Sequence, residues 1–143
     1  MLVSPLAQLT GWLIAVGFSV PIPSTARPAG GLELHAVEQG IVAATNAERR
    51  RHGLSPLLVD PLLVRSARAH TAWMTRSQSL QHTMAAVAEN IAVGQRTASE
   101  VLRDWMGSPG HRANILSGAH RRLGVAAYTA PGGAVYWCQQ FLP

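Results

Sequence analysis

The sequence predicts an α+β domain in which helices cover an antiparallel sheet. Three observations carry that expectation. Two early stretches place apolar residues at helical spacing, a Thr-x-x-Glu signature opens a third helix, and two β-rich runs joined by Ala130-Pro131-Gly132-Gly133 close the chain as a hairpin. A chain of 143 residues is long enough for one domain with its own core, and no internal repeat or low-complexity segment interrupts it.

The first helix is expected over about 33–52. Val37, Ile41, Ala44 and Ala47 follow helical spacing, Arg49, Arg50 and Arg51 suit the negative end of the dipole, and Gly53 stands at the left-handed cap position. Gly40 weakens the middle of the helix and leaves room for a close neighbour. Leu54 to Leu58 reads as an apolar crossing segment. Asp60-Pro61 starts the second helix, with Asp as cap and Pro at the first helical position, and it runs to about Arg76. Leu63, Ala67, His70 and Met74 share one face, with Trp73 beside them; on that face His70 reads as a satisfied core or boundary histidine rather than a ligand.

Glu89 to Gly94 reads as a strand or an irregular crossing. Thr97 caps a third helix that runs from Ala98 to about Met106, with Val101, Leu102 and Trp105 as its apolar stripe, so Glu100 is assigned to capping rather than catalysis. Ser108-Pro109-Gly110 is a turn, and His111 to Leu116 a short helical turn. The hairpin pairs Leu123–Thr129 with Ala134–Phe141.

All twelve basic residues are Arg, and the net charge is +5. That balance favours anionic surfaces such as phospholipid or wall polymer. The clusters Arg49–Arg51 and Arg121-Arg122 read as a solvated helix end and a solvated loop; neither is interleaved with the aromatics a nucleic-acid groove needs, so nucleic acid is not an expected partner. The single cysteine, Cys138, excludes a disulfide within the chain, and Tyr136-Trp137 before it suggest a buried, inert thiol in a strand.

The first 26 residues carry no charged side chain and contain the apolar run Gly11 to Val20. Ser24 and Ala26 fit a signal-peptidase site after Ala26, although no basic residue precedes the apolar run. The expected organisation is a signal peptide over 1–26, a flexible leader over 27–33 and a domain over 34–143, exported and without a stable membrane span once the signal is removed.

Several chemistries are excluded. The chain has no His-Glu-x-x-His helix, phosphate-binding Gly loop or dinucleotide fingerprint. Ser108 lacks the glycine a nucleophile elbow needs two residues earlier, where Met106 stands, and Pro109 after it has no N–H for an oxyanion. What remains is His82, Glu89 and His111. Two imidazoles and a carboxylate suit a divalent metal with an open position, or acid–base work. Their spacings of seven and twenty-two residues require tertiary convergence, and three separate structural hydrogen bonds explain the same residues equally well.

An ordered series of motifs adds a resemblance. It comprises Asn46-x-x-Arg49, His52-Gly53-Leu54, Pro56-Leu57, Leu80-Gln81-His82 and Ala88-Glu89-Asn90-Ile91-Ala92. Trp105-Met106-x-Ser108-Pro109-Gly110-His111-Arg112-x-Asn114-Ile115-Leu116, Gly124-Val125 and Tyr136-Trp137-x-Gln139-x-Phe141 complete it. Over roughly 35–141 the chain resembles bacterial members of the CAP superfamily, the SCP-like proteins related to cysteine-rich secretory proteins, antigen 5 and plant pathogenesis-related proteins.

The resemblance implies a secreted α-β-α sandwich, with helices on both sides of a small antiparallel sheet. It also implies a cleft of two histidines and two acids that in some members binds zinc or another divalent ion. His82 and His111 match the histidines and Glu89 the first acid; Ser108 stands where the second acid is expected. The loop between His82 and Glu89 is short for the family, and the disulfides of animal and plant members are absent. Losing one carboxylate weakens a metal site without abolishing it, and Glu89 is expected to orient a histidine or water rather than act as a strong ligand. The resulting expectation is a non-catalytic module at the cell envelope. Its cleft of His82, Glu89, Ser108 and His111 binds a lipid, an envelope polymer or a protein, with a divalent metal on His82 and His111 and, as a third group, Glu89. The alternatives are a metal-assisted hydrolase with Glu89 as general base, and a surface protein with a vestigial cleft.

Overall fold

The computed structural model describes residues 31–143, so the signal-peptide reading lies outside the described residues. Helix α1 spans Ala36–Arg51 and begins at a backbone cap: the His35 N–H donates to Glu38 Oε2 at 2.8 Å. It ends as expected at Gly53, whose φ of 71° lets the Gly53 and Leu54 amides turn back to the carbonyls of Arg50 and Arg49. Helix α2 spans Pro61–Ser77, and Asp60 Oδ1 accepts from the Leu62 and Leu63 amides at its start. Strand β2 is Ala88–Val93, helix α3 Ala98–Gly107, helix α4 Pro109–Ile115, and strands β3 and β4 are Arg122–Thr129 and Val135–Leu142. Thr97 caps α3 through the Glu100 amide, while the Glu100 carboxylate reaches the Arg96 N–H, one residue before the cap.

Leu58–Val59 form a short strand, β1, that was not expected from the sequence. It pairs in parallel with β3, giving a sheet of order β1-β3-β4-β2. The expected antiparallel sheet is therefore mixed. The physical reason lies in Asn46, buried on α1, whose side chain exchanges two hydrogen bonds with the Leu57 backbone at 2.8 and 3.0 Å. An amide side chain thus acts as a neighbouring strand would, and holds the crossing segment extended against the sheet edge.

Helices lie on both sides of this sheet. On one side α1, α3 and α4 cover a core of Ile41, Val101, Trp105, Ile115, Trp137 and Phe141. On the other, α2 covers Ile91, Ala126, Tyr136 and Cys138 with Ala67 and Met74. Gly124 admits α2 at very close range, and Gly40 lets α3 approach α1 at Ala98. Glu38, fully buried, accepts a two-pronged bond from Arg68 at 2.6 and 2.8 Å, which ties α1 to α2.

Arg49 departs from the solvated reading. It is 1% exposed and donates to the carbonyls of Ser55, Ile115 and Ser117 at 2.7–2.9 Å. A guanidinium carries enough donors to tie the crossing segment, the end of α4 and the loop after it to the last turn of α1 at once.

Candidate functional site

The pleat of β2 sorts the site, because alternate residues face opposite layers. Ile91 packs with the α2 layer and Ala92 with the α1–α3–α4 layer, which assigns Glu89 to the first and Asn90 to the second. Glu89 pairs in register with Gln140, and Asn90 with Gln139, so two buried polar pairs occupy opposite faces of one strand pair.

On the α2 face the Glu89 side chain is only 3% exposed, and both oxygens are engaged. Oε1 accepts from His82 Nδ1 at 2.9 Å and from the Thr83 N–H at 2.9 Å. Oε2 accepts from Gln140 Nε2 at 3.0 Å and from the Cys138 thiol at 3.5 Å. His70 Nε2 lies 3.8 Å from the same oxygen and shares a 2.8 Å hydrogen bond with the Gln81 carbonyl. Burial alone would push the Glu89 carboxyl up. The Gln140 amide, the Thr83 N–H, His82 and the positive field of His70 outweigh it, and Glu89 sits below its ordinary value. Burial, followed by the Glu89 charge, drives the Cys138 thiol well up, so Cys138 remains a protonated donor.

On the other face Asn90 donates to the His111 carbonyl at 3.1 Å and to Gln139 Oε1 at 3.2 Å, while Asn114 Nδ2 donates to Asn90 Oδ1 at 2.9 Å. Asn114 also reaches the Glu89 carbonyl, and Gln139 continues the chain to Thr45 on α1. These bonds fix α4, and with it His111, against the sheet.

The expected residues therefore meet in part. His82 and Glu89 are in direct contact. His111 and Ser108 line a hollow of about 290 Å³ with Leu80, Asp104 and Trp105. His82 lines a second hollow of about 200 Å³ with His70, Trp73, Thr83 and Met84. The segment from Leu80 to Met84 supplies walls to both. His111 is held below the ordinary histidine value by burial first and by His82 second, so the two imidazoles feel each other electrostatically.

Among the described residues, no three His, Cys, Asp or Glu side chains form a group that could hold a metal ion. Glu89 already has donors on both oxygens, so His82, Glu89 and His111 do not fit a three-ligand set. What they offer is two imidazoles, with Glu89 orienting His82 through Nδ1 and leaving Nε2 as the free nitrogen.

Sequence reasoning placed His70 in the core and missed its approach to Glu89; its place on the same helix face as Ala67 and Met74 carried no sign of a carboxylate beyond it. It held Asn114 and Gln139 only as members of the motif series, with no role, and missed Gln140 and Asp104. The alternation of β4 could have found the glutamines, since two adjacent amides inside a strand must face opposite layers.

Residues 42–141 match the Cysteine-rich secretory protein family, and the chain belongs to this CAP family. It is 37% identical over 124 residues to the uncharacterised protein YkwD of Bacillus subtilis (strain 168); the match covers 75% of this chain and 47% of the relative, so the chain spans about half that protein's length. Among solved structures it is similar to an extracellular SCP-domain protein of Bacillus anthracis str. Ames, at TM-score 0.66 and 26% identity, covering 73% of this chain and 39% of that one. An outer surface protein of Borrelia burgdorferi shares the fold at TM-score 0.69 and 14% identity, covering 77% of this chain and 94% of that one.

Proposed function

We propose that this chain is a secreted, non-catalytic CAP module that binds a ligand or partner at the cell envelope through the cleft around His82, Glu89 and His111. The observation that carries the reading is the state of Glu89. A general base needs a free oxygen within reach of a substrate or water. Here both oxygens accept from the protein's own donors and the side chain is buried. That arrangement suits a residue that fixes the cleft wall rather than one that moves protons.

Export is supported by the apolar, uncharged first 26 residues and by relatives described as extracellular or outer-surface proteins. No helix among the described residues is long and apolar enough to cross a membrane. In this reading a divalent ion such as zinc is a weakly held guest of His82 and His111, with Glu89 behind His82. Calorimetry with zinc tests that part: unchanged affinity in His82→Ala and His111→Ala removes the metal.

The binding reading is tested by mass spectrometry of small molecules that co-purify with the full chain from its native envelope fraction. A bound species that is lost in both His82→Ala and His111→Ala supports it. Turnover of a peptide or ester library, abolished by a chelator and by His111→Ala, would replace it with the hydrolase reading.

A further inference from the structure

Position 108 is a serine, yet the hollow it lines does contain a carboxylate. Asp104 stands on the last turn of α3, and Ser108 is the extended residue that caps that helix. It lines the same hollow as Ser108 and His111. Gln95 Nε2 donates to Asp104 Oδ2 at 2.9 Å. In that orientation Gln95 Oε1 is left buried without a hydrogen-bond partner. The opposite amide orientation would turn an oxygen toward the carboxylate, so the amide is held in place by the Asp104 charge. The Gln95 carbonyl is itself tied to Trp137 Nε1 at 3.0 Å. Asp104 is thus an exposed acid at the rim of the hollow, with the Gln95 amide as its hydrogen-bond partner.

Its charge is also available. Among the described residues, the Arg–carboxylate ion pairs use Glu48, Glu38 and Asp60, not Asp104. Its neighbour Arg103 lines a different groove, between α1 and α3. Below the carboxylate the hollow is walled by Leu80, Ile91 and Trp105. A volume of about 290 Å³ is small for a ligand pocket, sized for one side chain rather than an extended molecule.

We propose that Asp104 selects the occupant of the His111 hollow, which is a primary ammonium on an aliphatic stem, as in a lysine side chain. The Ser108 hydroxyl provides a second acceptor, and the apolar wall takes the stem. This chain has no lysine, so a second copy cannot supply that side chain. The net charge of +5 also repels a cation in general, so selective uptake of one cannot come from the overall field. The inference rests on the cleft being a binding site.

The test uses the full chain and two terminally blocked tripeptides, Gly-Lys-Gly and its Nε-acetyl-lysine counterpart, titrated by NMR. The expected result is tighter binding of the charged peptide by about threefold to tenfold, as for a charge-assisted hydrogen bond at a half-open site. Asp104→Asn, with an unchanged melting curve, brings the two peptides within about twofold. Leu80→Ala weakens both alike. Equal affinity of the two peptides for the wild type overturns the proposal, as does a preference that survives Asp104→Asn, or no binding of either. If both bind equally and His111→Ala abolishes both, the cleft reading stands and only the assignment to Asp104 falls. If neither binds but an envelope species is still lost in His111→Ala, the cleft again stands and the ammonium ligand falls.

Discussion

Glu89 and Asn90 are adjacent in the chain and serve opposite layers of the fold. Glu89 holds His82 and the Thr83 amide on the α2 side, and Asn90 holds the His111 carbonyl on the α4 side. One two-residue step of β2 therefore positions both histidines, through a side chain in one case and a backbone carbonyl in the other. Removing Glu89 leaves the Gln140 amide and the Thr83 N–H without partners. Glu89→Ala is expected to cost about 2–4 kcal/mol in urea unfolding, and Glu89→Gln about 1 kcal/mol. A loss under about 0.5 kcal/mol for the alanine variant would show that these bonds do not hold the site.

Asn90 makes a separate prediction. Its truncation leaves Gln139 Oε1 without its Asn90 donor, removes one of the two bonds of Asn114 Nδ2, and frees the His111 carbonyl from the sheet. Asn90→Ala is expected to cost about 2–3 kcal/mol and to shift the His111 ring resonances, because the start of α4 loses its anchor. His82 resonances should move much less, since its anchor lies on the other face. Equal shifts at both histidines would contradict the division of labour.

How much of this was legible in the sequence follows from what each residue's signal depends on. Asp60-Pro61, Gly53 and Thr97 act within one turn of chain, so their caps could be read locally. Arg49 could not: as the first of three arginines it looks solvated, and its burial depends on carbonyls up to 68 positions away. The β1 strand was hidden for the same reason, since two residues carry no periodicity and their extension is imposed by Asn46 and β3. The residue types singled out His82, Glu89 and His111 and the resemblance suggested one cleft, but the bonds that occupy Glu89 come from Gln140, Cys138 and a backbone amide, and their meeting depends on the register of β2 with β4.

Arg49 supplies a stability prediction of its own. Arg49→Lys keeps the charge but loses the planar fork that reaches three carbonyls, and is expected to cost about 1–2 kcal/mol; Arg49→Ala, about 3 kcal/mol. Hydrogen exchange should quicken at the end of α4 in both variants. If the lysine variant matches wild type, the charge rather than the geometry of the fork is what matters.

The pH dependence has a worked sign. His111, Glu38 and Glu89 all sit below their ordinary values in the folded state. At Glu38, burial acts upward, but the Arg68 bonds and the His35 amide overcome it. A lowered folded value means the unfolded chain binds protons more readily, so stability falls as pH falls. The His111 contribution is complete above the ordinary value of 6.5 and is lost as pH falls through its lowered folded value. The two carboxylates contribute fully above 4.5 and are lost on further descent. Urea midpoints measured from about pH 8 downward should decline in two stages, and His111→Ala should remove the upper one. A midpoint that rises on acidification would contradict all three assignments.

Gly124 offers the sharpest test of the packing that seats α2 over the sheet. A Cβ built there would lie 2.2 Å from the Leu63 carbonyl carbon and 2.4 Å from its oxygen. Backbone atoms of a capped helix cannot swing aside as a side-chain tip can, so the whole of α2 must lift. α2 carries His70, and the distance from His70 to Glu89 depends on its seat. Gly124→Ala is expected to cost about 3 kcal/mol or more, at the upper end for overpacking, and to shift the His70 and His82 resonances together. Gly107 is the control: at the end of α3, nothing lies within 4 Å of an added Cβ, and its φ is not positive. Gly107→Ala should leave stability unchanged or raise it by about 0.5 kcal/mol through the unfolded state. If both variants melt alike, α2 is not seated on the sheet at Gly124, and its hold on the Glu89 side of the site must come from elsewhere.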